Sequence, residues 1–174
     1  QRRELEESLK KNYIQREIEI SDLDKPIAKV IIGPRRAGKS FFAFHEISRV
    51  QNFGYINFDD EFLPRVEDYN LILEATKRVY NNPKTLLLDE IQNLKNWELF
   101  VNRLQRQNIN LIITGSNSKL LSKELSSHLT GRYLISVIFP FSFVEYLKTF
   151  GKELTQTEKK AALSYYLLKG GFPE

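Results

Sequence analysis

The sequence predicts an α/β fold built on a parallel sheet with helices on both faces. Two patterns carry that expectation. Short, nearly unbroken runs of Val, Ile and Leu occur at 27–32, 85–88 and 109–114, as strands buried on both faces require. Between them, apolar residues recur at helical spacing, so strand and helix alternate along the chain. The 174 residues suffice for one packed domain, and folds of this class take ligands at the carboxyl ends of their strands.

Residues 2–17 read as a surface helix, with Leu5, Leu9 and Tyr13 four apart and Glu6/Lys10 and Glu7/Lys11 as i,i+4 pairs. Ser21 to Pro26 is a turn. A first strand follows at 27–32, interrupted only by Lys29, and then a helix at 39–50 with Phe42, Phe44, Ile47 and Val50 among its apolar positions. A second strand at 55–58 leads into the acidic turn Asp59-Asp60-Glu61, and a helix at 67–80 stops at Asn82-Pro83. The third strand, 85–88, precedes a helix at 96–107. There Trp97, Phe100, Val101 and Leu104 stand at i, i+3, i+4 and i+7 and read as core. A fourth strand at 109–114, a helix at 118–129 and a fifth strand at 133–139 complete the alternation. Helical patterns at 141–150 and 158–168 follow with no further strand. The expected organisation is an N-terminal helix and linker over 1–25, a core over 26–140 and the start of an appended helical subdomain over 141–174.

Composition excludes several classes of function. Apolar residues at 41% and charged residues at 28% describe an ordinary globular domain, not a disordered or collagen-like chain. Cys is absent, which rules out a disulfide framework, a thiolate metal site and a cysteine nucleophile, and fits the reducing cytoplasm where the protein is expected. His45 and His128, the two histidines, are too few and too far apart for a His-based metal cluster and read as ordinary packed or surface residues. No apolar run approaches the ~20 residues that span a bilayer, and no leader pattern opens the chain, so no membrane partner is expected. The net charge of +4 is spread among 22 acidic residues, with no stripe that demands nucleic acid. Met is absent and the first residue is Gln1, so a piece of a longer protein is expected.

Between the first strand and its helix stands Gly33-Pro34-Arg35-Arg36-Ala37-Gly38-Lys39-Ser40, which fits G-x-x-x-x-G-K-[ST] at every fixed position. Glycines let such a loop curl so that backbone N–H groups point at a phosphate, and the following helix adds its N-terminal dipole. Lys39 can reach the β- and γ-phosphate oxygens, and the Ser40 hydroxyl can bind Mg²⁺. The cofactor-binding segment is read as Gly33, Pro34, Arg35, Arg36, Ala37, Gly38, Lys39, Ser40 and Phe41. Arg35 and Arg36 read as solvated loop charges, with nucleic-acid contact as the alternative.

The third strand ends Leu86-Leu87-Leu88-Asp89-Glu90. Asp89 is expected beside the loop, holding Mg²⁺ with Ser40, and Glu90 is expected to orient and deprotonate an attacking water. A base at that position favours a hydrolase over a small-molecule kinase. No N-K-x-D guanine-reading motif occurs. Two βα passes separate Lys39 from Asp89, so a strand is inserted between the two motif strands. At its tip Thr114, Ser116 and Asn117 are candidates for sensing a γ-phosphate or water, with a helix N-cap as the competing role for Asn117. Arg132, in Thr130-Gly131-Arg132, is either a surface charge or an arginine finger.

GPRRAGKS, YINFDDE, LLLDEIQNLKNWELF, ITGSNSKLLSKELSSHLTGRY, FPFSFVEYL and GGFPE together resemble the archaeal-type P-loop ATPases of the AAA+ superfamily, over residues 30–174. The resemblance implies a P-loop NTPase fold with a five-stranded parallel sheet in the order 5-1-4-3-2, and ATP and Mg²⁺ as cofactors. It implies Lys39 and Ser40 as Walker A residues, Asp89 and Glu90 as Walker B, Ser116 and Asn117 in the first sensor segment, and Arg132 as a finger acting on a neighbouring subunit's nucleotide in a homo-oligomer. Asn57 matches, more weakly, a polar residue that restrains the Walker B glutamate in some relatives. In such proteins the GGFPE segment leads into a helical lid and a larger C-terminal region, often winged-helix or nuclease-like, through which DNA or protein partners would be reached. The expected catalytic set is Lys39, Glu90, Asn117 and Arg132, in an Mg-dependent ATPase. The alternatives are a nucleotide-dependent switch or a DNA-associated module with little turnover of its own.

Overall fold

Inside each apolar run the side chains alternate, and that alternation divides the core. The computed structural model describes residues 1–23, 25–116, 120 and 133–173. Its five strands are β1 (Ala28–Gly33), β2 (Phe53–Asn57), β3 (Thr85–Asp89), β4 (Asn110–Ser116) and β5 (Tyr133–Val137). They form one parallel sheet in the order β2-β3-β4-β1-β5, the order the resemblance implies. Val30, Ile32, Leu86, Leu88, Leu111 and Ile113 point to one face, packed with α3 (Tyr69–Val79) and α4 (Trp97–Arg106). Ile31, Leu87 and Ile112 point to the other, packed with α1 (Arg2–Leu9) and α2 (Lys39–Ile47). Burial on both sides is why these strands read as continuous apolar runs. The α4 residues Trp97, Phe100, Val101 and Leu104 are all buried, as their spacing predicts.

The two polar interruptions in these runs answer each other. Lys29, 1% exposed, donates from Nζ to Asn110 Oδ1 at 2.7 Å and to the carbonyl of Lys25. A buried ammonium is tolerated only when its protons are taken. Asn110 also donates to the carbonyl of Leu23, so one carboxamide ties β1, β4 and the entering turn together.

The N-terminal segment departs from the helical expectation. α1 ends at Leu9 rather than 17, and of its apolar stripe Leu5 is buried. Beyond Lys10 the chain runs without helix because Tyr13, Arg16 and Ile20 each find a non-local partner. Tyr13 stacks on His45 with ring centroids 3.9 Å apart. Arg16 meets Glu145, and the backbone N–H of Ile20 donates to Glu46 Oε2 at 3.1 Å. These tertiary contacts outweigh the local periodicity, which is a weak prior.

After β5 come α5 (Phe143–Lys148) and α6 (Gln156–Lys169). Each opens with a complete capping box, Ser142 with Glu145 and Thr155 with Glu158. Phe143, Tyr146 and Tyr166 pack ring against ring between them. The expected helix at 118–129 lies outside the described residues, apart from Leu120, which is helical and buried.

Candidate nucleotide site

The loop between β1 and α2 has the backbone that its glycines permit. Gly38, at φ 85°, is in the left-handed region that glycine enters freely. At Gly33 a Cβ would come 2.0 Å from the carbonyl oxygen of Ile138, so only glycine lets the loop leave β1 that close to the neighbouring chain. Lys39, buried at the start of α2, turns back and donates to the Pro34 carbonyl at 3.0 Å. Its ammonium therefore sits over the loop itself.

Asp89 ends β3, 4% exposed. Ser40 Oγ donates to its Oδ1 at 2.9 Å, the Thr114 hydroxyl donates to the same oxygen, and Tyr55 OH donates to Oδ2 at 3.4 Å. Burial pushes the Asp89 carboxyl above the usual carboxylate range, and the neighbouring Glu90 charge adds to this; the bonds from Thr114 and Ser40 oppose it. Tyr55 is raised as well, by its own burial and then by the Asp89 charge. Glu90 stands next in the chain with φ 51°, an uncommon conformation for a non-glycine residue and one concentrated at functional sites. Its N–H donates to Thr114 Oγ1 at 3.1 Å, so a single hydroxyl on β4 joins the Asp89 carboxylate to the Glu90 backbone.

Loop, carboxylates and N-terminal segment enclose a cavity of about 840 Å³. Lys39, Ser40, Asp89 and Glu90 line its floor, Tyr13 and Arg16 one wall, and Phe141 and Pro173 stand where α5 and α6 approach. Arg35, Arg36, Gly38 and Phe41 also face it.

The structure thus gathers Lys39 and Ser40 with Asp89 and Glu90, two pairs distant in sequence. Asn117 and Arg132 lie outside the described residues, as does the side chain of Ser116. Thr114 is fully buried and engaged with the Asp89 carboxylate and the Glu90 N–H. The Asn57 carboxamide does not reach Glu90: its Oδ1 accepts from the Asp59 N–H at 2.9 Å. The side chain bonded to Glu90 is Gln92, whose Nε2 donates to Oε2. Sequence reasoning passed over Gln92, and its signal was its place two residues beyond Glu90, where a tight turn can bring it back. Tyr55 was missed as well, because a tyrosine within a strand run reads as core.

A parallel sheet in this order, with a glycine loop after β1 and a carboxylate at the tip of β3, defines a P-loop NTPase fold. The chain belongs to the AAA domain family, which matches residues 25–147, and so to a group of nucleotide-binding, ATPase-like domains. It is 41% identical to the uncharacterized protein MJ1544 of Methanocaldococcus jannaschii, covering 98% of this chain and 41% of that protein. It is 33% identical to an uncharacterized protein of Haemophilus influenzae, covering 94% of this chain and 43% of that one. The chain therefore spans less than half the length of these relatives. Among the described residues no helix is long and apolar enough to cross a membrane.

Proposed function

We propose that this chain is the ATP-binding and ATP-hydrolysing core of an Mg-dependent AAA+-type ATPase. One observation carries the reading. Ser40 and Asp89, 49 positions apart, meet at 2.9 Å beneath the glycine loop, with Glu90 beside them and the cavity above. The donor set fits a small hard cation, because a hydroxyl and a carboxylate offer oxygen only. Ser40 and Asp89 would hold Mg²⁺, which when bound neutralises charge on the phosphate oxygens.

In this reading the loop N–H groups and the Lys39 ammonium grip the phosphates once Lys39 leaves the Pro34 carbonyl. Glu90 orients a water and takes its proton as the oxygen attacks the γ-phosphorus in line, and the bond from that phosphorus to the bridging oxygen breaks so that ADP leaves. Catalysis is then positioning plus electrostatics, with no covalent intermediate. Asn117 would sense the γ-phosphate, and Arg132 would complete the site of a neighbouring copy in a homo-oligomer. Residues 26–140 form the ATPase core and 141–174 begin its lid.

The test compares two variants. Lys39→Ala loses ATP binding, whereas Glu90→Gln keeps binding and loses turnover. Undiminished ATP binding by Lys39→Ala overturns the site assignment. A per-subunit rate that rises with protein concentration supports the trans role of Arg132; a rate that stays flat argues for a self-contained site.

A further inference from the structure

Glu90 is held from outside the phosphate loop, and the holding side chain has an unusual setting. Gln92 belongs to the 3-10 turn Ile91–Asn93, anchored by the fully buried Ile91. From there its amide folds back over β4, and its Nε2 donates to Glu90 Oε2. The amide lies so close to the strand that a Cβ at Gly115 would come 2.1 Å from Gln92 Oε1. Residue 115 is a glycine where Gln92 and Leu120 need the room. Oε1 itself is buried with no hydrogen-bond partner among the described residues. A buried carbonyl oxygen without a donor is unfavourable, so packing alone would favour an apolar side chain at 92. What the amide gains is its bond to Glu90.

From this arrangement we infer that Gln92 is a positioning residue that fixes the Glu90 carboxylate for attack on a nucleotide, holding Oε2 and leaving Oε1 to take the water's proton. The inference rests on the reading of Glu90 as the general base. Three attachments then define that base: the strand end through Asp89, the Thr114 hydroxyl on its N–H, and the Gln92 amide on its side chain. The first two set the backbone, and Gln92 alone among the described residues restricts the carboxylate's own rotation.

The experiment measures ATP turnover, ATP affinity and melting temperature of the full chain for wild type, Glu90→Gln, Gln92→Leu and the double variant. Leucine keeps apolar volume over Gly115 and removes the donor. Gln92→Ala serves as a second variant should leucine disturb folding. Gln92→Leu is expected to lower kcat about 10- to 100-fold, the loss that a displaced reacting group produces. KM and ATP affinity stay within about twofold and the melting temperature does not fall, a split that a merely structural residue would not give. Added to Glu90→Gln, the substitution costs nothing further, because the group it positions is already gone.

A kcat unchanged or raised by Gln92→Leu and Gln92→Ala, with Glu90→Gln inactive, overturns the inference and leaves the proposed function standing. So does a rise in KM that matches the fall in kcat. Wild-type turnover retained in Glu90→Gln overturns the reading of Glu90 and this inference with it.

Discussion

Arg16 and Glu145 form a buried pair, 5% and 6% exposed at their side chains, that clamps the N-terminal segment onto the start of α5. Arg16 Nε approaches Glu145 Oε1 at 3.4 Å as a charge contact rather than a hydrogen bond. The guanidinium also donates to the carbonyl of Phe139 and lies 4.6 Å from the Phe141 ring centroid. Glu145 accepts from the N–H groups of Glu17 at 2.8 Å and Ser142 at 2.9 Å. Arg16→Met therefore leaves a buried carboxylate without its counter-charge, and Glu145→Gln leaves a buried guanidinium without one. Removing one member of such a pair costs about 3–5 kcal/mol. For a domain of this size each kcal/mol is about 2–4 °C, so each single variant should melt roughly 6–20 °C lower. Arg16→Met/Glu145→Gln should fall well short of the sum, since neither charge then remains to be stranded. Thermal unfolding followed by circular dichroism reads all four proteins. Single losses below about 1 kcal/mol, the value of an exposed pair, or strict additivity in the double variant would refute the argument that this pair is desolvated and coupled.

Asn110→Leu should destabilise by about 1.5–3 kcal/mol, the worth of a hydrogen bond to a charged group, by leaving Lys29 without its 2.7 Å acceptor. Urea unfolding should show Lys29→Met recovering much of that loss in the double variant, and no recovery would mean that the ammonium is satisfied elsewhere. Burial holds the His45 imidazole below its ordinary value of 6.5. Between the folded value and 6.5 the unfolded chain binds more protons, so stability rises with pH. The contribution is complete above about pH 6.5 and is lost as pH falls through the folded value. Melting temperatures taken at about pH 7.5 and 5.5 should differ less in His45→Gln than in wild type, and an equal difference would remove His45 as the cause.

The phosphate loop was legible because its chemistry is local. Backbone N–H groups, a lysine and a hydroxyl must come from consecutive residues, so spacing alone betrays them. The strand-end carboxylates were legible for a related reason: an apolar run that stops in Asp89-Glu90 marks where a buried strand meets solvent or ligand. Gln92 escaped notice because its meaning lies in a turn that folds it back onto Glu90 and in the bare backbone of Gly115, 23 positions away, facts that no periodicity encodes. Asn57 matched by strand position, yet its short side chain is spent on the Asp59 N–H of its own turn.

What the sequence determined by itself was the alternation of strands and helices and the identity of the phosphate-loop residues, because apolar period and motif spacing are properties of neighbouring positions. Tertiary structure alone decided where α1 stops, since beyond it Tyr13, Arg16 and Ile20 engage His45, Glu145 and Glu46. It alone matched Lys29 to Asn110 and folded Gln92 back onto Glu90. A buried polar group must be satisfied by whatever the fold brings near it, and the sheet order, which sets β4 between β1 and β3, chooses that partner.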